Sequence, residues 1–414
     1  MKRSLVTVLI IGFAAAVFAA VLHGIGLLHP IEHAISSILQ GGATPTITSE
    51  VFVYLSIFAL SVAVAWLTVN SLERPRIGLL VAGLAVELLV AAWICGLYGG
   101  AFQPLPAILA IGLAFAVAER WLAFVRRSRT QVARTFFADR LSTKQMRRLV
   151  EGDIPIDIQP RTHEATVVVC DIANKYDLAE ESEPALFAEA TEKFIRRTTN
   201  LLLEAGGYIQ AADGEGVVAI FGFPDGSPDH ADKAVRVTLD LVDEFRSGRE
   251  DNNGDGIGKC DIHLGVSSGT LIVAPLQNGQ RPGLLTTGEP MELARRFCVA
   301  NRFYGSRILI GPRTFELASK NIVARPIDFL SGVNSQERHE IYEPLWLAAD
   351  AKPEHIARRD FFWNGVVLYR EKRWAEAYTE FQKARAPDHD DDPPLQLYLR
   401  RLETLALHLT TAPE

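Results

Sequence analysis

Cysteine is scarce. The chain has four in 414 residues: Cys95, Cys170, Cys260 and Cys298. They lie far apart with no CxxC spacing, which argues against a zinc site and a disulfide framework. They read as buried thiols in a reducing compartment. Excess positive charge is also lacking: 42 Lys and Arg against 49 Asp and Glu leave a net charge of -7, so nothing electrostatic favours nucleic acid as the main partner. Charge is sparse from Ser4 to Val125, and Lys and Arg are missing altogether from His29 to Glu50 and from Tyr98 to Pro104.

Where charge is missing, Ala, Leu, Val, Ile and Gly take its place. A helix needs about 20 apolar residues to cross ~30 Å of hydrocarbon, and Ser4 to Leu28, Val51 to Val69, Ile77 to Leu97 and Leu105 to Val125 all qualify. Lys2 and Arg3 ahead of the first run also fit a signal peptide, but the run is long for one. The Lys and Arg residues of the short loops (Lys2, Arg3, Arg74, Arg76, Arg126, Arg127, Arg129) all fall on one side of a four-span arrangement. Both ends are therefore expected in the cytoplasm, with the protein multi-pass in the plasma (inner) membrane. The outer loop of about 20 residues is too short for a folded sensor. Glu87, in mid-span, is open to two readings: a sensing or ion-linked site, or a protonated acid bonded to a neighbouring helix. Glu119, beside Arg120, can snorkel.

Arg126 to Leu149 is polar, Arg-rich and helical in pattern, with Phe136, Phe137, Leu141, Met146 and Leu149 as packing positions. Such a stretch contacts anionic lipid or pairs with its copy to transmit a signal. Gly152, Pro155 and Pro160 are expected to end it. Beyond Ala165 strands and helices alternate. Thr166 to Cys170 reads as a strand, Pro184 to Ala205 as a helix, and Tyr208 to Gln210 with Val217 to Phe221 as a hairpin closed at Asp213 to Gly216. Ala231 to Arg246 follows as a helix, then strands at Ile262 to Gly265 and Thr270 to Val273, a helix at Glu292 to Tyr304, and a strand at Arg307 to Ile310. The run Asp251 to Gly256 imitates a Ca²⁺ loop, yet Ile262 stands where the twelfth-position Glu belongs, so a polar loop is the better reading.

The order of these pieces resembles a class III adenylate/guanylate cyclase of the bacterial membrane-anchored type. The residues that carry the likeness are Asp171-Ile172 after the first strand, the hairpin ending Ala219-Ile220-Phe221-Gly222, His263 to Gly269, Thr287-Gly288, Leu293-Ala294 and Arg296. The resemblance implies a ferredoxin-like α+β domain that pairs head to tail, as a homodimer or with another cyclase-type domain. It also implies attack of a ribose 3′-hydroxyl on the α-phosphate of a nucleoside triphosphate, assisted by Mg²⁺ or Mn²⁺. Asp171 and Glu215 fall at the two metal positions, Glu215 with a methylene more than the family's Asp and with Asp213 two residues away. Asn174, Lys175 and Tyr176 stand where a Gly-Phe-Thr segment holds the triphosphate. Ala211 and Leu285 occupy the base-selecting positions and cannot hydrogen-bond a purine edge. Glu292 replaces the ribose-orienting Asn, and Arg296 matches the Arg that stabilises phosphoryl charge.

These substitutions point to a regulatory pseudo-cyclase, the alternative being an active adenylate cyclase that uses Asp171 and Glu215. The expected layout is a four-helix transmembrane domain at 1–127, a connector at 128–160, the cyclase-like domain at 161–349 and a C-terminal helical hairpin at 353–409. That tail reads as helices at Phe361 to Arg370, Trp374 to Ala384 and Leu395 to His408. Its Trp374, Ala377 and Phe381 resemble one tetratricopeptide (TPR-like) repeat, which cannot bury its own face, so packing onto the cyclase-like domain is expected.

Overall fold

The computed structural model describes residues 2–39, 46–47, 50–70, 74–98, 100–156, 159–250, 260–278, 281–333, 337–386 and 392–411. The Ca²⁺-loop imitation at Asp251 to Gly256 lies outside them. The chain divides into two compact units, Met1–Thr130 and Gln131–Glu414.

The first unit comprises α1 (Lys2–Gly24), α2 (His29–Leu39), β1 (Thr46–Ile47), α3 (Glu50–Asn70), α4 (Arg74–Leu97), β2 (Gly100–Ala101) and the start of α5 (Leu105–Phe137). Four stretches, Leu5–Gly24, Val53–Asn70, Arg76–Leu97 and Leu105–Phe137, are long and apolar enough to cross a membrane. Their contacts use small side chains: Ala15, Ala16, Ala19, Ala65, Ala107, Ala110, Ala114 and Ala118 are buried. Small residues let helices approach closely where lipid supplies no hydrophobic drive. A Cβ on Gly12 would sit 2.7 Å from the Val62 Cα, and Ser61 Oγ donates to the Gly12 carbonyl at 2.9 Å. Leu5, Ile10, Phe13, Leu79, Leu80 and Phe124 point outward, as lipid-facing residues would. Helix α2 was not expected. It buries Glu32, whose Oε1 lies 3.3 Å from His23 Nδ1, while Glu87 is exposed on α4.

Helix α5 runs on through Arg126, Arg127 and Arg129 to Phe137, and the chain turns at Asp139, which has φ 60°. The expected break at Gly152 is therefore a second one, ending α6 (Thr143–Glu151). Ser142 and Gln145 form a capping box at the start of α6, supplying partners to amides that the first turn leaves unpaired. The second unit continues with β3 (Arg161–Ile172), α7 (Lys175–Glu181), α8 (Pro184–Glu204), β4 (Tyr208–Asp213), β5 (Gly216–Phe221), α9 (His230–Glu250), β6 (Ile262–Asn278), β7 (Arg281–Thr287), α10 (Glu289–Tyr304), β8 (Ile308–Ile310), α11 (Pro312–Ala318), β9 (Ile322–Ser331) and β10 (Arg338–Leu347). Helices α12 (Pro353–Arg370), α13 (Trp374–Ala384) and α14 (Pro393–Thr411) follow.

One mixed sheet is ordered β4-β5-β3-β6-β8-β10-β9, with β7 also pairing β6. Within it, β3-α8-β4-β5-α9-β6 is the split βαβ arrangement expected of a ferredoxin-like core. Ala165 to Cys170 are buried throughout because β3 is central and covered on both faces. Its alternate side chains go to different layers. Val168 and Cys170 join Phe194, Leu202, Leu241 and Phe245 of α8 and α9, whereas Ala165, Val167 and Val169 join Phe137, Leu141, Leu149, Met291 and Ala294. Most of the connector's apolar positions are thus used by the sheet of the same chain. A third cluster packs Phe362, Val366, Ala377, Phe381 and Tyr398 against Leu293 and Phe297 of α10 and Ile327 and Ile341 of the sheet, which covers the face the tail helices cannot bury alone.

The two strands expected at Ile262 to Gly265 and Thr270 to Val273 are one. Val266 to Gly269 pair with β3 without interruption, and Ser268 is held by Thr166 at 2.7 Å and Thr314 at 2.9 Å. All four cysteines are free; Cys170, Cys260 and Cys298 are buried and Cys95 half-buried. Burial pushes the Cys298 thiol up to about 12, the state of an inert core thiol.

Candidate functional site

Asp171 follows the buried run Ala165 to Cys170 of β3 and is half-buried, one residue before the strand ends. Opposite it, the β4–β5 turn presents Glu215, and Gly216 fits there because a Cβ would meet the Cys170 carbonyl oxygen at 2.3 Å. Asp213, two residues before Glu215, uses Oδ1 to accept the Glu215 amide at 2.9 Å and so closes the turn. Asn174, Lys175 and Tyr176 do not form an open anion-binding loop. Lys175 and Tyr176 begin α7, and Asn174 Oδ1 accepts the Asp261 amide at 2.9 Å.

Lys175, four residues after Asp171, lies between the two carboxylates. Its Nζ is 3.5 Å from Asp171 Oδ1 and 3.7 Å from Glu215 Oε2, and it donates to the Gly214 carbonyl at 3.3 Å. Burial pushes the Asp171 carboxyl up, and Lys175 and the Ile172 amide pull the other way. The donors are hard oxygens of the kind Mg²⁺ prefers, but the point on which they converge is filled by an ammonium group. As arranged, the residues do not fit a divalent ion.

The remaining predicted residues lie elsewhere. Ala211 is on β4, next to a register shift, and packs against the second apolar cluster. Leu285 pairs with Ala274, whereas Asp171 pairs with His263 at the other end of β6. That separation is roughly 35 Å at the rise of an extended strand. Glu292 and Arg296 share one face of α10. Arg296 Nε bonds Glu292 Oε1 at 3.0 Å, and its Nη1 donates to the Gly332 carbonyl at 2.7 Å. The structure thus brings together Asp171, Lys175 and Glu215, and separately Glu292 and Arg296. Leu285 lies in neither group.

Two features escaped sequence reasoning. The Gly214 carbonyl is a third oxygen at Lys175, and a backbone group leaves no residue-type signal. Glu289, Glu337 and His339 bring possible ligand atoms within 4.8 Å of one another, from positions too distant in the chain to read as a motif. A cavity of about 500 Å³ framed by Arg307, Arg325, Trp346, His355 and Asp392 contains none of the predicted site residues.

No family model matches the chain. Among curated proteins it is 26% identical over 158 residues to soluble guanylate cyclase gcy-32 of Caenorhabditis elegans, covering 38% of this chain and 22% of that one. It is 25% identical over 206 residues to the terminal-differentiation-specific adenylate cyclase of Dictyostelium discoideum, covering 48% and 9%. The chain is similar to class III adenylate and guanylate cyclases. It is also 24% identical over 159 residues to an uncharacterised protein of Mycobacterium tuberculosis, covering 38% of this chain and 27% of that one. The chain therefore spans about a quarter or less of the length of these relatives. Among solved structures, the adenylyl cyclase CyaB from P. aeruginosa superposes with a TM-score of 0.41 at 21% identity, over 47% of this chain and 100% of that one. The guanylate cyclase domain of RhGC from Catenaria anguillulae gives 0.39 at 20% identity, over 45% and 99%.

Proposed function

We propose that this chain is a membrane-anchored signalling protein of the adenylate/guanylate cyclase type whose own site is impaired: a regulatory pseudo-cyclase. The observation that carries the reading is the state of Arg296. The one transition-state group kept unchanged is already bonded to Glu292 and to the Gly332 carbonyl, and Glu292 sets a negative charge where a polyanionic nucleotide would approach. Ala211 and Leu285 offer a purine no hydrogen bond. Because Asp171 at a metal position and Leu285 at a base position lie against opposite ends of β6, one chain cannot join these two, and a pair of chains, homodimeric or with another cyclase-type domain, would be needed.

Losing one electrostatic group aimed at the transition state typically costs 10²- to 10³-fold in rate, and losses in one unit do not simply multiply. Purified protein given ATP or GTP with Mn²⁺ is expected to form cyclic product at the rate of the protein-free blank. A robust rate abolished by Asp171→Ala would overturn the proposal and favour the second reading, an active adenylate cyclase, for which the convergence of Asp171 and Glu215 on one point speaks.

In the same proposal 1–127 anchors the chain with both ends cytoplasmic, 128–160 connects, 161–349 is the cyclase-like domain, and 353–409, TPR-like in pattern, braces it. Reporter fusions after Tyr98 and after Arg129 are expected on opposite sides of the membrane, since of these two flanks only the second carries Lys or Arg. Both reporters on one side would refute the topology.

A further inference from the structure

The Lys175 ammonium faces three oxygens from two places: Asp171 Oδ1 at 3.5 Å at the end of β3, and Glu215 Oε2 at 3.7 Å with the Gly214 carbonyl at 3.3 Å in the β4–β5 turn. The side chain is only 14% exposed, although Glu215 is almost fully solvated at 92%. Lys175 is the first residue of α7, and the Asn174 side chain fixes the approach to that helix by accepting the Asp261 amide. The ammonium is therefore delivered by packed backbone rather than by a freely swinging surface lysine.

We propose that Lys175 is a tethered cation that permanently takes the position of a divalent metal, so that Asp171 and Glu215 bind neither Mg²⁺ nor Mn²⁺ in the unmodified protein. The inference deepens the pseudo-cyclase reading and rests on its assignment of Asp171 and Glu215 to the metal positions. The physics is competition for one point. A Mg²⁺ ion bound by these carboxylates would sit about 2.0–2.1 Å from each oxygen, inside the space the ammonium fills, and two cations so close repel. Expelling Lys175 would also strip it of all three oxygens. One positive charge on the chain answers the two carboxylates, so the β3 end and the β4–β5 turn stay joined without an exchangeable ion.

The test counts bound Mn²⁺ on the full-length protein in detergent by the loss of the free-ion electron paramagnetic resonance signal. Wild type and Asp171→Asn are expected to bind the same number of ions. Lys175→Met should gain one site per chain that the Lys175→Met/Asp171→Asn double variant loses, and Lys175→Arg should behave as wild type. Wild type binding one Mn²⁺ more than Asp171→Asn would overturn the proposal, as would Lys175→Met gaining no site. Should Lys175→Met fail to fold, the comparison of wild type with Asp171→Asn still decides. The cyclase assay separates this inference from the reading beneath it. Product made by a protein with no Asp171-dependent Mn²⁺ sinks the pseudo-cyclase and leaves Lys175 standing, whereas Asp171-dependent Mn²⁺ without product does the reverse.

Discussion

Arg325→Met is expected to destabilise the packing of the C-terminal helices on the sheet by about 3–5 kcal/mol, the usual result of removing one partner from a buried ion pair. Arg325 projects from β9 with its side chain 8% exposed. It reaches Glu343 of β10 at 2.7 and 2.9 Å and Asp392, just before α14, at 2.6 and 2.7 Å. Its guanidinium also lies 4.4 Å from the Phe362 ring centroid of α12. One side chain thus ties two strands and two helices. Burial alone would lower the Arg325 pKa, and Glu343 and Asp392 reverse that and raise it.

Burial raises the Glu343 carboxyl even with Arg325 present, so removing the arginine leaves an acid that prefers to be protonated in the folded state. A folded-state pKa above the unfolded one means that the folded state holds more protons, and stability falls as pH rises between the two values. The loss in Arg325→Met is accordingly largest at neutral pH and shrinks in acid. Amide hydrogen exchange in α12 and α13 should accelerate by roughly two to four orders of magnitude. Adding Glu343→Leu and Asp392→Asn should recover much of the protection, because an apolar replacement of a buried pair is often neutral. Unchanged exchange in the single variant would mean that the apolar cluster holds the tail unaided.

The spans, the β3 strand, α8 and α13 were legible because each carries its own period or run: unbroken apolar stretches, a β-branched series, Trp374, Ala377 and Phe381 at helical spacing. Strands β7, β9 and β10 were not, because each contains a residue that argues against a strand. Pro282 and Gly283 sit in β7, which pairs on one side only, with β6, and an edge strand tolerates both. The prolines of β9 and β10, Pro326 and Pro344, lie at register shifts in their ladder, where a missing amide costs little. In β6 the Ser267-Ser268-Gly269 run reads as a turn until Thr166 and Thr314 are known to satisfy Ser268. The site followed the same division. The positions of Asp171, Glu215 and Arg296 could be taken from the cyclase resemblance, but what occupies them could not. Reading Asn174 to Tyr176 as a loop hides that Lys175 opens a helix, and the Gly332 carbonyl that holds Arg296 is 36 residues away in the chain.

Gly265→Ala is expected to lower the melting temperature of the detergent-solubilised protein by roughly 5 °C, on a loss of about 3 kcal/mol in a unit of this size. Gly265 lies in β6 between Val169 of β3 and Leu309 of β8, so the strand cannot shift sideways. A Cβ there would stand 2.0 Å from the Ala294 carbonyl oxygen, 2.4 Å from the Cys298 nitrogen and 3.0 Å from the Cys298 Cα. All three are backbone atoms of α10, which has no rotamer with which to yield. The helix is also bolted down: Asn301 Nδ2 donates to the Leu264 carbonyl at 2.9 Å and Cys298 Sγ to the His263 carbonyl at 3.2 Å. Relieving the clash requires α10 to lift by more than 1 Å. Overpacking of ordinary cores costs about 1–3 kcal/mol, and a clash with rigid backbone belongs at or above the upper end. Because α10 carries Arg296, the same shift draws its guanidinium from the Gly332 carbonyl. Gly283→Ala is the control within the same sheet, since nothing lies within 4 Å of a Cβ at that position, and it should stay within about 0.5 kcal/mol of wild type. Equal melting of the two variants would show that α10 does not seat on Gly265 as closely as these distances require.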